Sequence, residues 1–498
     1  MKRILSLILV LVFLLSAALL TFTSCGEEEG KAPEKTPSGT SDLSSKGDMF
    51  AERAAVSDEL GEYDFGGRKF RIVTNKPREV FGNGEEMRNQ GDLITDATLE
   101  RNDRIEKRFN CDIDVVFQGN IYQLEEYVSK TVLSGVDEFD LYIGHSGITR
   151  GLFKKNLFIN WYDIPNVNFD KPWWTSSTSD VLTVDGKCAL AISDLCNTTK
   201  YCTMAMFFNK NLASSYDLGN LYKVALDGEW TYDYFYSLIK DVYVDEDGDG
   251  KRSFGDFYGY AQGNYDTLDT WMFAFDNPIA KKDADGIPKI AIKTDKVSGI
   301  FSTIYDLCWN TNGTYFYQWK VNNIPSDAPT WQQMFINKQT IFTTTYLNHV
   351  LYSEWRNFED DYGILPMPKL DENQKDYYTY SFAEHTVLAV PKTAQDLTFV
   401  GTIVEALSAE SYKQLTPTFY EIALKTRYLR DNESKKVLDI IIDGTVYDFA
   451  YVYGTGIGDL LSKTIMNKQY NFESNYAKYI GTAKNNMRKI IKVYDSLE

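Results

Sequence analysis

Short apolar runs alternate with helical periodicities in the first third of the chain. β-branched and aromatic runs at 70–74, 111–117 and 139–143, each bounded by glycine or charge, predict strands. Between them, apolar residues recur at helical spacing over 94–109 and 122–133. This order of strand, helix, strand, helix, strand predicts an α/β fold, with a parallel sheet covered by helices.

The stretch from Gln333 to Ala409 also combines short apolar runs with a helical pattern. Each of the segments 333–346, 362–369 and 386–396 contains a short apolar, β-branched run, which predicts a buried strand. A helical pattern follows at once, and a threonine or an aspartate just before it can cap the helix. Further strands are predicted at 181–184, 187–192 and 203–208, and further helices at 231–240, 298–309, 431–442 and 476–494.

Motifs in these segments carry a family resemblance. A Tyr-Gly-Ile-Leu-Pro-Met-Pro run begins at Tyr362, and Ala389-Val-Pro-Lys392 precedes a helix. Ala97, Arg101 and Asn102 match a helix pattern of the first lobe. With these motifs the chain resembles family 1 extracellular solute-binding proteins, which include maltodextrin-binding proteins. The resemblance implies a two-lobed periplasmic-binding-protein-like fold, each lobe a mainly parallel sheet flanked by helices, joined by a hinge.

The resemblance and the composition together divide the chain. We expect a lipoprotein signal peptide at 1–24 and a lipidated cysteine with a flexible linker at 25–65. The predicted lobe 1 comprises 66–190 and 385–430, and the predicted lobe 2 comprises 191–384 and 431–498.

The N-terminus predicts the location of the protein. A charged Lys2-Arg3 pair precedes an apolar run over 4–20, and Thr23-Ser24 precedes Cys25. This resembles a bacterial lipobox, in which Cys25 is lipidated after cleavage. A plain transmembrane anchor is the alternative, since about 18 apolar residues suffice to span a bilayer. The cysteine and the polar linker after it favour a lipoprotein anchored on the outer face of a bacterial cell membrane.

Charge and cysteine content narrow the classes of ligand and site. The formal charge is −18, and removal of 1–24 deletes Lys2 and Arg3, giving −18 − 2 = −20. This charge disfavours nucleic acid and anionic ligands and fits a neutral or a cationic one. Five cysteines follow Cys25, and their spacing matches no zinc or redox motif. We expect buried free thiols.

Candidate ligand contacts come from strand ends, loop tryptophans and the resemblance. His145 follows a predicted strand end, where α/β folds bind ligands, although a lone histidine is also a common structural hydrogen-bonding group. The resemblance places the hinge near 190–194 and a ligand-contacting aromatic after the loop 262–266. The candidate contacts are His145, Trp173, Asp194, Trp271, Tyr346 and His385.

The segment 245–256 has the ligand spacing of an EF-hand calcium loop. Acidic residues stand at positions 1, 3 and 5, and glycine stands at position 6, where the loop turns sharply. An aspartate at position 12 reaches less easily than glutamate for bidentate ligation, and a solvated Asp-Gly turn is the alternative. The predicted structural Ca²⁺ ligands are Asp245, Asp247, Asp249, Lys251 through its carbonyl, Ser253 and Asp256.

The leading hypothesis is a substrate-binding lipoprotein of an ABC importer. It would capture a neutral saccharide, an oligosaccharide first of all, between its lobes and deliver it to a membrane permease. Aromatic faces stack on sugar rings, and 14% of the residues are aromatic. We expect a monomer without catalytic residues. An exported glycan-active enzyme and a receptor for peptides remain the alternatives.

Overall fold

The computed structural model describes residues 50–497 apart from 118, 293, 319–323, 326–327, 383–384 and 426–431. The predicted signal peptide, Cys25 and the linker up to residue 49 lie outside the described residues. Residues 49–498 form one compact unit. Among the helices of the described part, none combines the length and the apolar character needed to cross a membrane.

Two main sheets carry the fold. The strands are β1 (Arg68–Thr74), β2 (Cys111–Phe117), β3 (Leu141–His145), β4 (Met204–Asn209), β5 (Tyr243–Val244), β6 (Phe257–Gln262), β7 (Ala280–Lys282), β8 (Pro288–Ile290), β9 (Thr314–Phe316), β10 (Thr340–Tyr346), β11 (Tyr362–Leu365), β12 (Thr379–Tyr380), β13 (Thr386–Ala389) and β14 (Thr445–Val446).

Helices cover both sheets. They are α1 (Arg78–Phe81), α2 (Leu93–Phe109), α3 (Ile121–Leu133), α4 (Ser146–Lys154), α5 (Thr198–Tyr201), α6 (Lys210–Ser215), α7 (Leu221–Leu226), α8 (Tyr232–Ile239), α9 (Asp266–Ala274), α10 (Thr294–Trp309), α11 (Trp331–Ile336), α12 (Ser353–Arg356), α13 (Leu397–Glu410), α14 (Thr416–Lys425), α15 (Asn432–Asp443), α16 (Phe449–Val452), α17 (Leu460–Met466) and α18 (Phe472–Asp495).

The first sheet has the strand order β13-β3-β1-β2. β1 runs parallel to β2 and to β3, as the sequence predicts, and β13 joins antiparallel to β3. The helices α2, α3 and α4 pack on these strands, and α13 packs on α2. We call this sheet and these helices the first lobe. The strand β13 therefore returns to the first lobe after the chain has built the second sheet.

The second sheet is mixed, whereas the resemblance implied a mainly parallel sheet in each lobe. Its order is β11-β4-β10-β6-β5, with β9 also paired to β6. β4 is antiparallel to β10 and β11, whereas β6 is parallel to β10 and β9. The helices α8, α10, α11 and α15 pack on these strands, and α9 packs on α10. We call this assembly the second lobe.

Local sequence explains most helix starts. The Asp92 side chain accepts a hydrogen bond from the Thr95 N–H at the start of α2, and Asp396 accepts one from Phe399 at the start of α13. Thr231 caps α8 in the same way. These caps satisfy backbone donors that have no partner within the helix.

The prediction of strands at 181–184 and 187–192 was wrong. Residues Thr178–Leu182 form a π-helical turn, and the next segment makes only isolated bridges, such as Ala191 with Leu388. Side chains take the backbone hydrogen bonds that a strand ladder would use: Thr178 Oγ1 accepts from the Ile192 N–H at 2.9 Å, and Asn160 Oδ1 accepts from the Cys188 N–H at 2.9 Å.

Residues 50–65, predicted as part of the flexible linker, pack on the first lobe. Residues 50–54 are helical. The Phe65 ring lies 4.6 Å from that of Phe399, and Asp58 forms an ion pair with Arg108. The rings of Phe65 and Phe399 supply apolar contact that the polar stretch at 26–48 cannot make.

The cysteines within the described residues are all buried free thiols, as predicted: Cys111, Cys188, Cys196, Cys202 and Cys308. Burial raises the pKa of the Cys111 and Cys188 thiols to about 12. These thiols are therefore protonated and unreactive at neutral pH.

Candidate ligand-binding cleft

The carboxyl edges of the two sheets meet where the chain crosses between lobes. His145 ends β3 opposite Thr386, the first residue of β13. Tyr346 ends β10 opposite Met204, the first residue of β4. The crossing segments that lead into β4 and β13 lie side by side, since the Phe382 N–H donates to the Cys202 carbonyl at 3.0 Å. Ligands of α/β sheets bind at such carboxyl edges, so we call this region the cleft.

His145 contributes a neutral imidazole to the first-lobe side of the cleft. Its Nδ1 accepts a hydrogen bond from the Gly147 N–H at 3.0 Å, which leaves the ring proton on Nε2. Burial, together with the nearby charges of Lys76 and Arg150, lowers the pKa of His145 to about 4. At neutral pH this side chain can donate a hydrogen bond without carrying charge.

His385 has the complementary tautomer. It is completely buried, and its Nδ1 donates to the Phe382 carbonyl at 2.7 Å, which leaves a lone pair on Nε2. Burial lowers the pKa of His385 to about 4, with His145 and Lys76 acting in the same direction. His145 and His385 thus offer one donor and one acceptor, both neutral, beside the crossing segments.

The second-lobe side is aromatic. Tyr346, at the end of β10, is half-buried and lies parallel to the His349 ring, with 6.2 Å between ring centroids. The Phe382 ring lies 6.1 Å from that of Tyr346. Tyr352 is 47% exposed, and its ring lies 5.1 Å from that of His349. Burial lowers the pKa of His349 to about 4, so this group is neutral as well.

Tyr265 has a strained backbone at the neighbouring strand end. It follows β6 with φ +41° and ψ −104°, a conformation that side chains disfavour, and it directly precedes α9. Its ring is 37% exposed. Gly263 allows the Trp331 ring to lie against this loop, since a Cβ at that glycine would come within 2.4 Å of the ring. The Trp331 Nε1–H donates to the Thr344 carbonyl at 3.0 Å.

Polar atoms at both strand edges have no hydrogen-bond partner. Among buried side-chain atoms of the described residues, these include Asn75 Oδ1 after β1, Asn348 Oδ1 after β10 and His385 Nε2. Other atoms of this kind, such as Thr270 Oγ1, lie away from the strand ends. Unpaired buried polar atoms are costly, so their presence on both sides of the cleft favours a polar ligand there.

Asp194 lies on the first crossing segment and is already paired. Its Oδ1 lies 3.1 Å from the Lys200 Nζ, and its Oδ2 accepts from the Thr416 hydroxyl at 2.8 Å. Both partners hold the carboxylate in place beside the cleft. Direct contact of Asp194 with a ligand stays a prediction.

Trp173 and Trp271 are both completely buried. The Trp173 Nε1–H donates to Glu405 Oε1 at 2.9 Å, and the Trp271 Nε1–H donates to Gln262 Oε1 at 3.1 Å. In this conformation both rings belong to the cores of their lobes and present no face to the cleft. Their role as ligand contacts stays a prediction.

Sequence reasoning missed Tyr265, His349 and Tyr352. The resemblance points to an aromatic after the loop at 262–266 and so to Trp271, which lies about one and a half turns inside α9. The rule that ligands bind at the carboxyl ends of strands points instead to the side chains of the loops that follow β6 and β10. Tyr265 and the residues after Tyr346 satisfy that rule.

The predicted calcium loop is compact and exposed. One carboxylate oxygen from each of Asp245, Asp247 and Asp249 lies within 4.8 Å of the others, so this donor set fits a hard divalent cation. The Asp256 carboxylate is buried and accepts from the Ser253 N–H at 2.7 Å and from the Glu246 N–H at 3.2 Å. Asp256 therefore closes the loop on itself.

A separate cavity of about 330 Å³ lies beside the small β12–β14 pair. Its lining includes Tyr378, Tyr447 and Asp448 and none of the six candidate contacts. Burial raises the pKa of Asp448 to about 6, although its carboxylate accepts from the Ile279 and Ala280 N–H groups. The carboxylate of Asp448 thus ties the segment before β7 to the start of α16.

Comparison with known proteins supports the fold. No family model and no curated protein matches the chain. The GacH receptor of Streptomyces glaucescens GLA.O, solved unliganded and with acarbose and an acarbose homolog, is similar in structure. Its TM-score is 0.50 at 11% sequence identity, over 87% of this chain and 100% of that one. The ABC substrate-binding protein Lmo0181 from Listeria monocytogenes, in complex with cycloalternan, has a TM-score of 0.51 at 12% identity and the same coverage.

At these identities the likeness shows the fold. The chain has the two-lobed α/β fold of periplasmic binding proteins, so the predicted fold class is confirmed. Both similar structures are those of binding proteins, one a receptor and the other a substrate-binding protein.

Proposed function

We propose that this chain is the substrate-binding lipoprotein of an ABC importer. It captures a neutral saccharide, an oligosaccharide first of all, in the cleft and delivers it to a membrane permease. The observation that carries the proposal is the pairing of exposed aromatic rings on the second lobe with neutral imidazoles and unpaired polar atoms at the strand ends.

This combination of groups suits a sugar. Tyr265 and Tyr352 offer exposed apolar faces of the kind that pack against sugar rings. His145, which is half-buried, supplies a neutral donor for hydroxyl groups, at no cost of burying an unpaired charge. His385 is completely buried, so its acceptor nitrogen stays a predicted contact, as the two tryptophans do. Acarbose and cycloalternan, the ligands of the two similar structures, support the choice of a saccharide.

Binding and transport then follow from the architecture. The two lobes are joined by crossing segments, so closure over a ligand is the expected motion. The lipidated Cys25 and the polar stretch after it would hold the receptor near the permease while leaving it free to move. A Cys25→Ala variant is expected to lose labelling by a fatty-acid analogue, and labelling that persists would refute the anchor.

We further propose that the loop of Asp245, Asp247 and Asp249 binds Ca²⁺ as a structural ion. The Lys251 carbonyl and the Ser253 side chain would complete the oxygen donors, with Asp256 fixing the end of the loop. Mutual repulsion of the three carboxylates is relieved when a divalent cation binds. We expect weak binding, with a dissociation constant of roughly 10⁻⁴–10⁻³ M.

The first test is the melting temperature of residues 49–498 against a panel of oligosaccharides and monosaccharides, with amino acids and short peptides as controls. A ligand at about 100 times its dissociation constant adds roughly 2.7 kcal/mol of stability. This corresponds to about 5–10 °C for lobes of this size. A shift with one class of glycan supports the proposal.

Other outcomes favour the alternatives. A shift with peptides alone would replace the saccharide by a peptide ligand. Turnover of a bound glycan would favour an exported enzyme, and the absence of any shift across the panel would contradict the saccharide proposal.

A further inference from the structure

The last helix, α18, contacts both lobes at its two ends. It comprises 24 residues, so an uninterrupted helix of this length extends about 36 Å. It packs on α10 and α17 on one side and on α4 and β8 on the other. The sequence prediction had assigned the whole of 431–498 to the second lobe.

The N-terminal end of α18 lies on the second lobe. Phe472 is buried, and its ring lies 5.5 Å from that of Phe301 in α10. Just before the helix, the Tyr470 hydroxyl lies 3.0 Å from the Ser302 hydroxyl, and the Tyr470 ring lies 4.9 Å from that of Tyr305. These contacts fasten the start of the helix to α10.

The C-terminal end of α18 lies on the first lobe. Tyr494 is 2% exposed, and its hydroxyl donates to the Leu182 carbonyl at 2.5 Å. The Tyr494 ring lies 5.2 Å from that of Phe153 in α4, and its hydroxyl also forms a hydrogen bond with the Tyr453 hydroxyl. Leu182 ends the π-helical turn at 178–182, so Tyr494 satisfies a carbonyl of that irregular segment.

A lysine of the first lobe strengthens this end. The Lys187 Nζ donates to the Leu497 carbonyl at 2.8 Å and to the Asp495 carbonyl at 3.3 Å. A cation at the C-terminus of a helix also interacts favourably with the helix dipole. The contact is therefore both apolar, through Tyr494, and electrostatic, through Lys187.

The hairpin of β7 and β8 also links α18 to the first lobe. β8 packs on α18, and the Lys282 Nζ lies 3.5 Å from the Ser179 carbonyl of the first lobe. Asp448 holds the start of the same hairpin through the N–H groups of Ile279 and Ala280. Two elements beside α18 thus reach the same irregular segment of the first lobe.

We infer that α18 is a strut that sets the angle between the lobes. The crossing segments alone would act as a hinge, but a rigid helix fastened at both ends adds a second connection away from that hinge. A change of lobe angle must therefore break or slide the contact of Tyr494 and Lys187. The inference rests on the proposed function in one respect, namely that the lobes close when a ligand binds.

The test measures the distance between the lobes by electron paramagnetic resonance, without any sugar. Spin labels are attached to Lys130→Cys in α3 and Asp241→Cys after α8, whose native side chains are 76% and 85% exposed. The protein used comprises residues 49–498, which omits Cys25, and its five native cysteines, all within the described residues, are buried free thiols, so labelling is confined to the introduced cysteines. The test variant carries Tyr494→Phe and Lys187→Met, which remove these hydrogen-bond donors and keep the ring of residue 494 and the apolar stem of residue 187.

The expected result is a distance distribution that shifts or broadens beyond that of the matched control, Tyr479→Phe, which alters a half-buried tyrosine of the same helix. A distribution that equals the control, with faster amide exchange confined to the last turn of α18, would overturn the inference. If the double variant fails to fold, Tyr494→Phe alone is measured against the same control. Because no ligand is used, failure of the saccharide proposal leaves this result unaffected.

Discussion

Two groups of aromatic side chains in this protein have opposite environments. Trp173 and Trp174 are buried in the first lobe, and their indole N–H groups donate to the two oxygens of Glu405, each at 2.9 Å. Tyr265 and Tyr352 lie at the carboxyl edge of the second sheet with 37% and 47% of their surface exposed. The first group has its polar atoms satisfied inside the lobe, whereas the second is partly exposed at the strand edge that borders the cleft.

The two environments suggest two roles: the buried tryptophans stabilise the first lobe, and the exposed tyrosines are available to a ligand. Glu405 accepts a third hydrogen bond, from the Asn168 N–H at 3.3 Å, so a single carboxylate fastens the loop at 168–174 to α13. The Tyr352 hydroxyl, by contrast, accepts a hydrogen bond from the Asn348 side-chain amide at 3.3 Å, and its ring stays 47% exposed. A tryptophan pair in a loop therefore indicates a ligand contact only when its N–H groups have no internal acceptor.

The largest expected effect comes from removing the buried acceptor. Glu405→Ala leaves both indole N–H groups and the Asn168 N–H without a partner, and we expect a loss of about 3–5 kcal/mol in the free energy of unfolding. Urea denaturation measures this loss. The matched control is Glu473→Ala, an exposed residue of α18. Equal stability of the two variants would show that Glu405 does not organise this loop.

The second prediction concerns the cleft. Tyr346→Ala and Tyr265→Ala are each expected to weaken binding of the identified saccharide about tenfold, since a stacking aromatic contributes on the order of 1.4 kcal/mol. Their melting temperatures should change much less than that of Glu405→Ala. Titration calorimetry measures the affinity, with Tyr122→Ala, which is 69% exposed on α3, as control. Unchanged affinity in both cleft variants would place the ligand elsewhere.

The third prediction uses pH, because the two regions respond in opposite directions. Burial lowers the pKa of His385 from its usual 6.5 to about 4, so its contribution to stability is complete above pH 6.5 and is lost as the pH falls towards 4. Burial raises the pKa of Glu405 to about 7, so its contribution is complete below pH 4.5 and is lost as the pH rises through 7.

Variants of His385 and Glu405 should therefore change the pH dependence of the free energy of unfolding in opposite directions. Between pH 7.5 and 5, His385→Gln is expected to lose roughly 2 kcal/mol less stability than the wild type. Glu405→Gln is expected to lose more than the wild type over the same interval. Urea denaturation at a series of pH values gives both slopes, and parallel profiles for the two variants would contradict the assignment.

The smallest effect on stability is expected at the calcium loop, where the carboxylates of Asp245, Asp247 and Asp249 are more exposed than that of Glu405. Millimolar Ca²⁺ should raise the melting temperature of the wild type by a few degrees, since about ten times the dissociation constant adds roughly 1.4 kcal/mol. Asp247→Asn should lose this response. An identical melting temperature in excess chelator and in millimolar Ca²⁺ would contradict the proposal that the loop binds Ca²⁺.

Much of the fold could be predicted from periodicity. The strands β1, β2, β3, β10, β11 and β13 and the helices α2, α3, α10, α13, α15 and α18 lie where the pattern places them. At 181–192 the apolar residues are buried as the pattern implies, but the N–H groups of Cys188 and Ile192 donate to the side chains of Asn160 and Thr178 and not to a neighbouring strand. A pattern of apolar residues reports burial, and burial alone does not distinguish a strand from an irregular segment.

The candidate site was harder to predict. His145, Tyr346 and His385 come together at the crossing segments as the strand-end rule implies. Trp173 and Trp271 lie in the cores, where their indole N–H groups donate to Glu405 and Gln262. The sequence could not predict this, because it does not show that these acceptors are close to the two rings. Those acceptors are 232 and 9 residues away along the chain.

By itself, the sequence determined the α/β class, the order of most elements, the burial of the free thiols and the acidic charge, because these depend on composition and on local periodicity. Only the tertiary structure decided which aromatic rings are exposed, which histidine nitrogen is free and which lobe the end of α18 contacts. Those properties depend on partners far apart along the chain, such as Tyr494 with Leu182 and Trp173 with Glu405. Folding brings such partners together through packing that no local pattern encodes.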